Sequence, residues 1–149
     1  MAVRDYAPSD FHAVCRIYLD AKPAELASEP GQFVFTPLDR DPVLLTAFNE
    51  SEVVVHDAGD VLGFAAMFDG QLRALFVHSL ARGRGVGQSL LDMVIARAET
   101  PIALNVALGN SGAIRFYERN GFSIIGETTR QYNGIDVQYV RMLREQSKP

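Results

Sequence analysis

Apolar residues along this chain switch repeatedly between helical and strand spacing. Phe11, Val14, Cys15, Tyr18 and Leu19 recur at intervals that place them on one helical face. Ser9, after Pro8, sits where a helix N-cap belongs, and Pro23 is expected to end that helix. The stretch from 23 to 38 also holds Pro30, Gly31 and Pro37 and reads as a loop with some helix. Asp41-Pro42 is an N-cap followed by proline at the first helical position, which predicts a second helix over Val43–Asn49. A short first strand is expected at Val3–Tyr6. The β-rich runs Val53–Asp57, Val61–Phe68 and Gln71–His78, separated by Gly59-Asp60 and Asp69-Gly70, predict an antiparallel meander.

Leu90, Leu91, Val94, Ile95 and Ala98 return to helical spacing, and the short apolar run Ile102–Val106 follows as a strand. A helix is predicted over Ser111–Arg119, capped by Asn110 or Ser111 and stopped by Asn120-Gly121. Phe122–Arg130 and Ile135–Leu143 flank Tyr132-Asn133-Gly134, and Asn-Gly between two strand-like runs is a strong hairpin signal. The resulting order is β-α-α-β-β-β-α-β-α-β-β. It predicts one α/β (α+β) domain over residues 1–144, with helices on both faces of a mixed, mostly antiparallel sheet of about seven strands. Residues 145–149 form a polar tail.

Composition changes this picture little. Of 149 residues, 48% are hydrophobic and 21% charged, as in an ordinary globular domain. The net charge of −4 lacks the basic footprint of a nucleic-acid binder. The single cysteine, Cys15, excludes an internal disulfide and is expected in the core. No run is long enough for a membrane span and no signal-peptide pattern opens the chain, so the expected location is cytoplasmic. His12, His56 and His78 have no metal-ligand spacing, and no metal is expected.

The chemistry concentrates in Arg82-Gly83-Arg84-Gly85-Val86-Gly87, between a strand and a helix. Glycine permits unusual backbone angles and close approach of a ligand to the amides. Free N–H groups at a helix N-terminus form an anion site, and Arg82 and Arg84 add positive charge. The segment therefore reads as a pyrophosphate cradle. The dinucleotide pattern G-x-G-x-x-G fails because position 88 is Gln88, and the P-loop pattern fails for want of its lysine.

The segment resembles the R/Q-x-x-G-x-G/A signature of the GNAT superfamily of acetyl-CoA-dependent N-acetyltransferases, through Arg82, Gly85 and Gly87. Downstream, Asn110, Ala113, Phe116, Tyr117, Gly121 and Phe122 are similar to that family's second motif, N-x-x-A-x-x-F/L-Y-x-x-x-G-F. The resemblance implies a single GNAT-like domain that takes acetyl-CoA as co-substrate and acetylates a primary amine by direct attack. The acceptor is left open among a protein lysine, a protein N-terminus and a small amine. The implied cofactor contacts are the main chain of Leu75, Phe76 and Val77 with the pantetheine arm, and the amides of Gly83, Arg84, Gly85, Val86, Gly87 and Gln88 with the pyrophosphate. Arg82 and Asn110 complete that set.

Tyr117 matches the family tyrosine that protonates the leaving thiolate. Asn105 stands where many relatives carry a glutamate base, so it is a site residue that holds the acceptor or a water. The base is open among Glu25, Glu29, His56, His78 and a water chain. Tyr18, Phe33 and Phe35 are candidate walls of an acceptor pocket. Ser79 replaces a proline common in relatives and is expected to loosen the entry to the turn. The missing glutamate also motivates an alternative: a GNAT-fold protein that binds acetyl-CoA without catalysis, as a sensor or partner subunit. A homodimer is compatible with the resemblance, although no exposed stripe calls for one.

Overall fold

The computed structural model describes residues 2–146. The predicted tail has five residues from Glu145, of which the last three, 147–149, lie outside the described part. The strands are β1 (Val3–Asp5), β2 (Glu52–Asp57), β3 (Val61–Phe68), β4 (Gln71–Val77), β5 (Ile102–Ala107), β6 (Ser123–Tyr132) and β7 (Ile135–Arg144). The α-helices are α1 (Phe11–Glu25), α2 (Pro42–Glu50), α3 (Val86–Arg97) and α4 (Ser111–Arg119). The strands form a single 7-stranded sheet in the order β1-β2-β3-β4-β5-β7-β6. Every neighbouring pair is antiparallel except β4 and β5. The predicted order and the mixed, mostly antiparallel sheet are therefore observed.

Strand alternation splits the core between the two faces. Val54 of β2 and Ala65 of β3 join α3 and α4 through Leu90, Leu91, Val94 and Tyr117. Their neighbours Val53, Val55, Phe64 and Ala66 join α1 and α2 through Val14, Ile17, Tyr18 and Phe48. A third cluster, Leu26, Ala107, Tyr132, Val137 and Tyr139, seals the end of the sheet where the chain leaves α1. Both two-residue hairpin turns have positive φ at both positions, 49° and 77° at Asp69-Gly70 and 48° and 82° at Asn133-Gly134. That conformation matches the right-handed twist of the flanking strands.

Four details near α1 differ from expectation. Ser9 does not cap the helix; it lies in a 3-10 turn, Pro8–Asp10. The organising group is Asp10, whose Oδ2 accepts the Ala7 N–H at 2.8 Å and whose two oxygens take Arg4 Nη1 and Nη2 at 2.8 and 2.9 Å. Pro23 does not end the helix either. A proline forfeits the bond to the carbonyl four residues back, here Leu19. Leu19 is 46% exposed, on the solvent side, where water can meet that carbonyl, and the helix runs on to Glu25. Leu19 is thus not part of the apolar face. Cys15 is only half-buried at the edge of its core cluster, and burial raises its thiol pKa.

Candidate functional site

The parallel pair β4–β5 is the weak seam of the sheet. The two strands share one register pair, Gln71 opposite Ala103, and then diverge. The cause lies in β4: Ala66 pairs with Ala74 but the next residue, Met67, pairs with Leu72, so Arg73 is a bulged extra residue. A bulge bends its strand and increases local twist, here away from β5. Beyond it, His78 N–H donates to Leu62 O at 2.8 Å. The alternation of an antiparallel ladder then turns the main-chain groups of Leu75 and Val77 away from β3, into the opening, whereas those of Phe76 face Phe64 of β3, so the expected main-chain contact from Phe76 is not available.

The opening widens into a cleft of about 710 Å³. Its walls include Leu75, Phe76, Val77, Arg82, Gly83, Gly85, Val86, Gly87, Gln88, Asn105, Asn110 and Tyr117. Of the cofactor contacts and the two catalytic residues, Tyr117 and Asn105, that the motifs imply, only Arg84 is not on the wall; it is exposed in the turn, its side chain not used by the cleft.

The cradle is built from backbone. Gly83 and Gly85 take φ of 78° and 77°, left-handed values that an L-residue rarely adopts, and nothing stands within 4 Å of a Cβ at either. The first helical bond of α3 runs from Ser89 N to Gly85 O at 2.9 Å. The N–H groups of Val86, Gly87 and Gln88 therefore have no helical partner and present the positive end of the helix. The Gln88 side chain is committed elsewhere: its Nε2 donates to Asn120 Oδ1 and to Asp92 Oδ1, both at 2.8 Å, which ties α3 to the end of α4.

Two supports of the cradle were not read from sequence. A Cβ on Gly63 of β3 would lie 2.8 Å from Val86 Cγ1 and 3.2 Å from Phe76 O, so glycine there lets the start of α3 settle onto the sheet. Its signal was a glycine inside a strand pattern, which marks close approach of a neighbour. Asp20 of α1 accepts Ser79 N–H at 2.7 Å and Ser79 Oγ–H at 2.9 Å, with His78 Nε2 3.7 Å away. These bonds, led by the Ser79 backbone, lower the Asp20 pKa against the opposing effect of burial. Ser79 is therefore pinned to α1, and the expected loosening of the turn does not occur.

On the far side, Asn105 of β5 is half-buried on the wall, paired in register with Arg141. Asn110 caps α4, its Oδ1 accepting Ala113 N–H at 3.3 Å. Tyr117 is 9% exposed, edge-on to Phe116 and Phe122 at 5.2 and 5.4 Å. Burial, with the nearby Glu25 carboxylate as a second cause, pushes its hydroxyl pKa far above the ordinary 10.0.

The α1 end of the cleft is lined by Ala21, Ala24 and Glu25. Glu25 is the one candidate base that reaches the wall. Glu29 instead accepts Gly109 N–H at 3.1 Å, His78 faces Asp20, and His56 sits on β2 opposite Val3. Glu25 Oε2 is buried 2.6 Å from Lys22 Nζ, at an angle that makes an ion pair but no hydrogen bond. The Lys22 ammonium lies over the Tyr132 ring at 5.1 Å and the Phe76 ring at 5.9 Å. Phe33 and Phe35 pack on Tyr132 at 6.3 and 5.7 Å. Tyr18 packs edge-on to Phe76 at 5.6 Å, its hydroxyl buried without a well-formed hydrogen bond. None of Tyr18, Phe33 and Phe35 lines the cleft itself; they back the residues that do. Lys22, Tyr132 and Arg119, the last on the wall, were missed from sequence because no local pattern joins them.

A split parallel pair above a glycine cradle at a helix start is the arrangement of acyl-CoA-dependent transferases of the kind that the two motifs resemble. The profile of the acetyltransferase (GNAT) domain family matches residues 49–124, and the chain belongs to that family. It is 38% identical over 90 residues to the peptidyl-lysine N-acetyltransferase YiaC of Escherichia coli, a match covering 60% of this chain and 59% of that protein. It is 27% identical to the L-methionine sulfoximine/L-methionine sulfone acetyltransferase of Pseudomonas aeruginosa, across 85% of this chain and 82% of that one. The structure of yncA from Salmonella typhimurium with its cofactor acetyl-CoA superposes with a TM-score of 0.71 at 19% identity, over 99% of this chain and 94% of that one. Among the described residues no helix is long and apolar enough to cross a membrane, and no group of three or more His, Cys, Asp or Glu is placed to hold a metal.

Proposed function

We infer that this protein is an acetyl-CoA-dependent N-acetyltransferase acting on a primary amine, with Glu25 as general base and Tyr117 as the proton donor. The observation that carries this reading is the continuity of the cleft. The free edge of β4, the cradle, Tyr117 and Glu25 all open onto one cavity. Acetyl-CoA suits it because its pantetheine arm carries amides that pair like an added strand and its pyrophosphate is an anion for the α3 amides. Acetyl-CoA supplies the thioester; the remaining chemistry falls to side chains and amides of this chain.

The main-chain groups of Leu75 and Val77 orient the pantetheine arm, and the amides of Gly83 to Gln88 with Arg82 hold the phosphates. The Val77 N–H faces the opening, where it stabilises charge growing on the carbonyl oxygen. Glu25 accepts a proton from the acceptor ammonium, since only the neutral amine attacks. Tyr117, kept neutral by burial, donates to the departing sulfur. Asn105 and Asn110 stand between these groups and bond the acceptor or the pantetheine arm. Glu25 removes the motive for the non-catalytic alternative, because the carboxylate absent at Asn105 is supplied from α1.

The test is release of CoA thiol from acetyl-CoA with a panel of primary amines, alongside calorimetric binding of acetyl-CoA. The reading expects tight binding and amine-dependent thiol release with an N-acetylated product by mass spectrometry. Binding with no release above hydrolysis for any amine would favour the sensor; no binding would overturn the reading altogether.

A further inference from the structure

The acceptor end of the cleft carries a charge pattern that the transfer reaction by itself does not need. A bare base would suffice to take a proton from an amine. Instead Glu25 comes with Lys22, 2.6 Å away and one helical turn earlier. Both side chains are largely enclosed, 13% exposed for Lys22 and 26% for Glu25. Lys22 stands just behind the wall rather than on it, its ammonium over the faces of Tyr132 and of Phe76, and Phe76 is itself a wall of the cleft.

An acceptor that brings its ammonium to Glu25 must bring it beside the ammonium of Lys22. A simple cationic amine that takes Glu25 from Lys22 leaves the Lys22 ammonium beside it with no second anion to offset it. An acceptor carrying a carboxylate next to its amine meets a matched pair: its ammonium to Glu25, its carboxylate to Lys22. Glu25 Oε2 is buried with the Lys22 ammonium 2.6 Å away, so the incoming ammonium takes over that contact as the α-carboxylate takes Lys22. The surrounding surface is apolar and aromatic, from Ala21, Ala24 and Phe76 on the wall and Tyr132, Phe33 and Phe35 behind.

The geometry points to free α-amino acids with an apolar side chain as the acceptor class, with Lys22 as the residue that selects for the α-carboxylate. This rests on the N-acetyltransferase reading above and narrows its substrate. In the step, the α-ammonium gives one proton to Glu25. The neutral nitrogen forms a bond to the thioester carbonyl carbon and loses its second proton to solvent, and the carbon–sulfur bond breaks. The thiolate takes a proton from Tyr117, which is replaced from solvent as Glu25 releases its own. The products are the N-acetyl amino acid, CoA thiol and one proton.

The deciding measurement is kcat/KM for leucine, methionine and phenylalanine beside their carboxamides, their decarboxylated amines and Nα-acetyl-lysine. It is made on the wild-type protein, Lys22→Met and Lys22→Arg, with acetyl-CoA affinity measured for each as a check on folding. The free amino acids are expected to exceed their carboxamides and amines by about tenfold or more, the scale of one charge-assisted contact. Lys22→Met should collapse that ratio towards one, and Lys22→Arg should keep most of it. Equal use of acids, carboxamides and amines by the wild type overturns the inference while leaving the acetyltransferase reading intact. So does a preference that survives in Lys22→Met with acetyl-CoA affinity retained, or acetylation of Lys22 itself with no free acceptor modified. Absence of transfer to every acceptor defeats the reading beneath it.

Discussion

At the cradle end of the cleft the binding groups are main-chain amides, set by glycines within a few residues of one another. At the α1 end the wall is made of side chains, Glu25 of α1 and Phe76 of β4, backed from separate segments by Lys22 of α1, Tyr132 of the β6–β7 hairpin, and Phe33 and Phe35 of the loop between α1 and α2. Backbone recognition is encoded locally, because a left-handed turn followed by a helix start needs only the right short string. Side-chain recognition is encoded by the fold, because residues far apart in sequence must arrive together. The contrast makes different residues fragile for different functions.

The largest effect should come from the end that the fold assembles. Glu25→Gln keeps the shape and removes the proton acceptor, so kcat/KM should fall by about 10²–10⁴, the usual range for a lost general base. Acetyl-CoA affinity measured by calorimetry should not change. A drop in affinity would mean that the two ends are not separable. Tyr117→Phe should lower kcat by about 10², again with acetyl-CoA affinity intact. Burial raises the Tyr117 pKa, so the hydroxyl stays protonated well past its ordinary value of 10.0. The rate should therefore rise with pH as the acceptor amine loses its proton, and Tyr117 should cause no decline near pH 10. A declining limb there that vanishes in Tyr117→Phe would show a hydroxyl titrating at its ordinary value.

How much was legible follows the same division. The hairpins at Asp69-Gly70 and Asn133-Gly134, the cap at Asp41 and the helix after Gly85 rest on neighbours in sequence, and all are found. Asp41 Oδ1 accepts the N–H groups of Val43 and Leu44, both at 3.2 Å, as a cap followed by proline predicts. The cradle was legible for the same reason. Ser9 was misread as a cap because the competing group, Asp10, owes its position to Arg4. Ser79 was misread as loose because its partner, Asp20, lies 59 residues away. Glu25 stood unranked among four candidate residues because Pro23 hid the last turn of the helix that carries it. Lys22 had no signal at all: a lysine on a surface helix gives no hint that two distant aromatic rings will cover it.

A substitution at Gly85 tests the local end. Valine there must adopt the left-handed φ of 77° or shift the turn. Holding a non-glycine residue in a sparse region costs about 1–3 kcal/mol, which corresponds to about 5- to 150-fold in acetyl-CoA affinity if the turn relaxes when empty and must be re-formed on binding. Transfer at saturating acetyl-CoA should be nearly restored, since the α1 end is untouched. Full affinity in Gly85→Val would remove the left-handed turn from the account of binding.

Gly87 separates the two glycines of the motif and carries the smallest effect. It has no positive φ, unlike Gly83 and Gly85. A Cβ there would stand 3.7 Å from Val77 Cγ2, an ordinary contact, with no other atom outside its own helix and chain neighbours within 4 Å. The protein itself therefore does not require glycine at 87, and alanine is the better helix former, by about 0.8–1.0 kcal/mol in a helix interior and less in a first turn. Gly87→Ala should leave the melting temperature equal or slightly higher. Any loss must then come from the ligand side, where a methyl group would meet the phosphates at the α3 amides. Acetyl-CoA affinity that stays within about twofold in Gly87→Ala, beside a large loss in Gly85→Val, would assign the motif's first glycine to the turn and leave the second as a size limit only, well above alanine; twofold is about 0.4 kcal/mol. A large loss at both would move the demand at 87 from the chain to the bound phosphates, which approach the helix start closely enough that a single methyl group obstructs them.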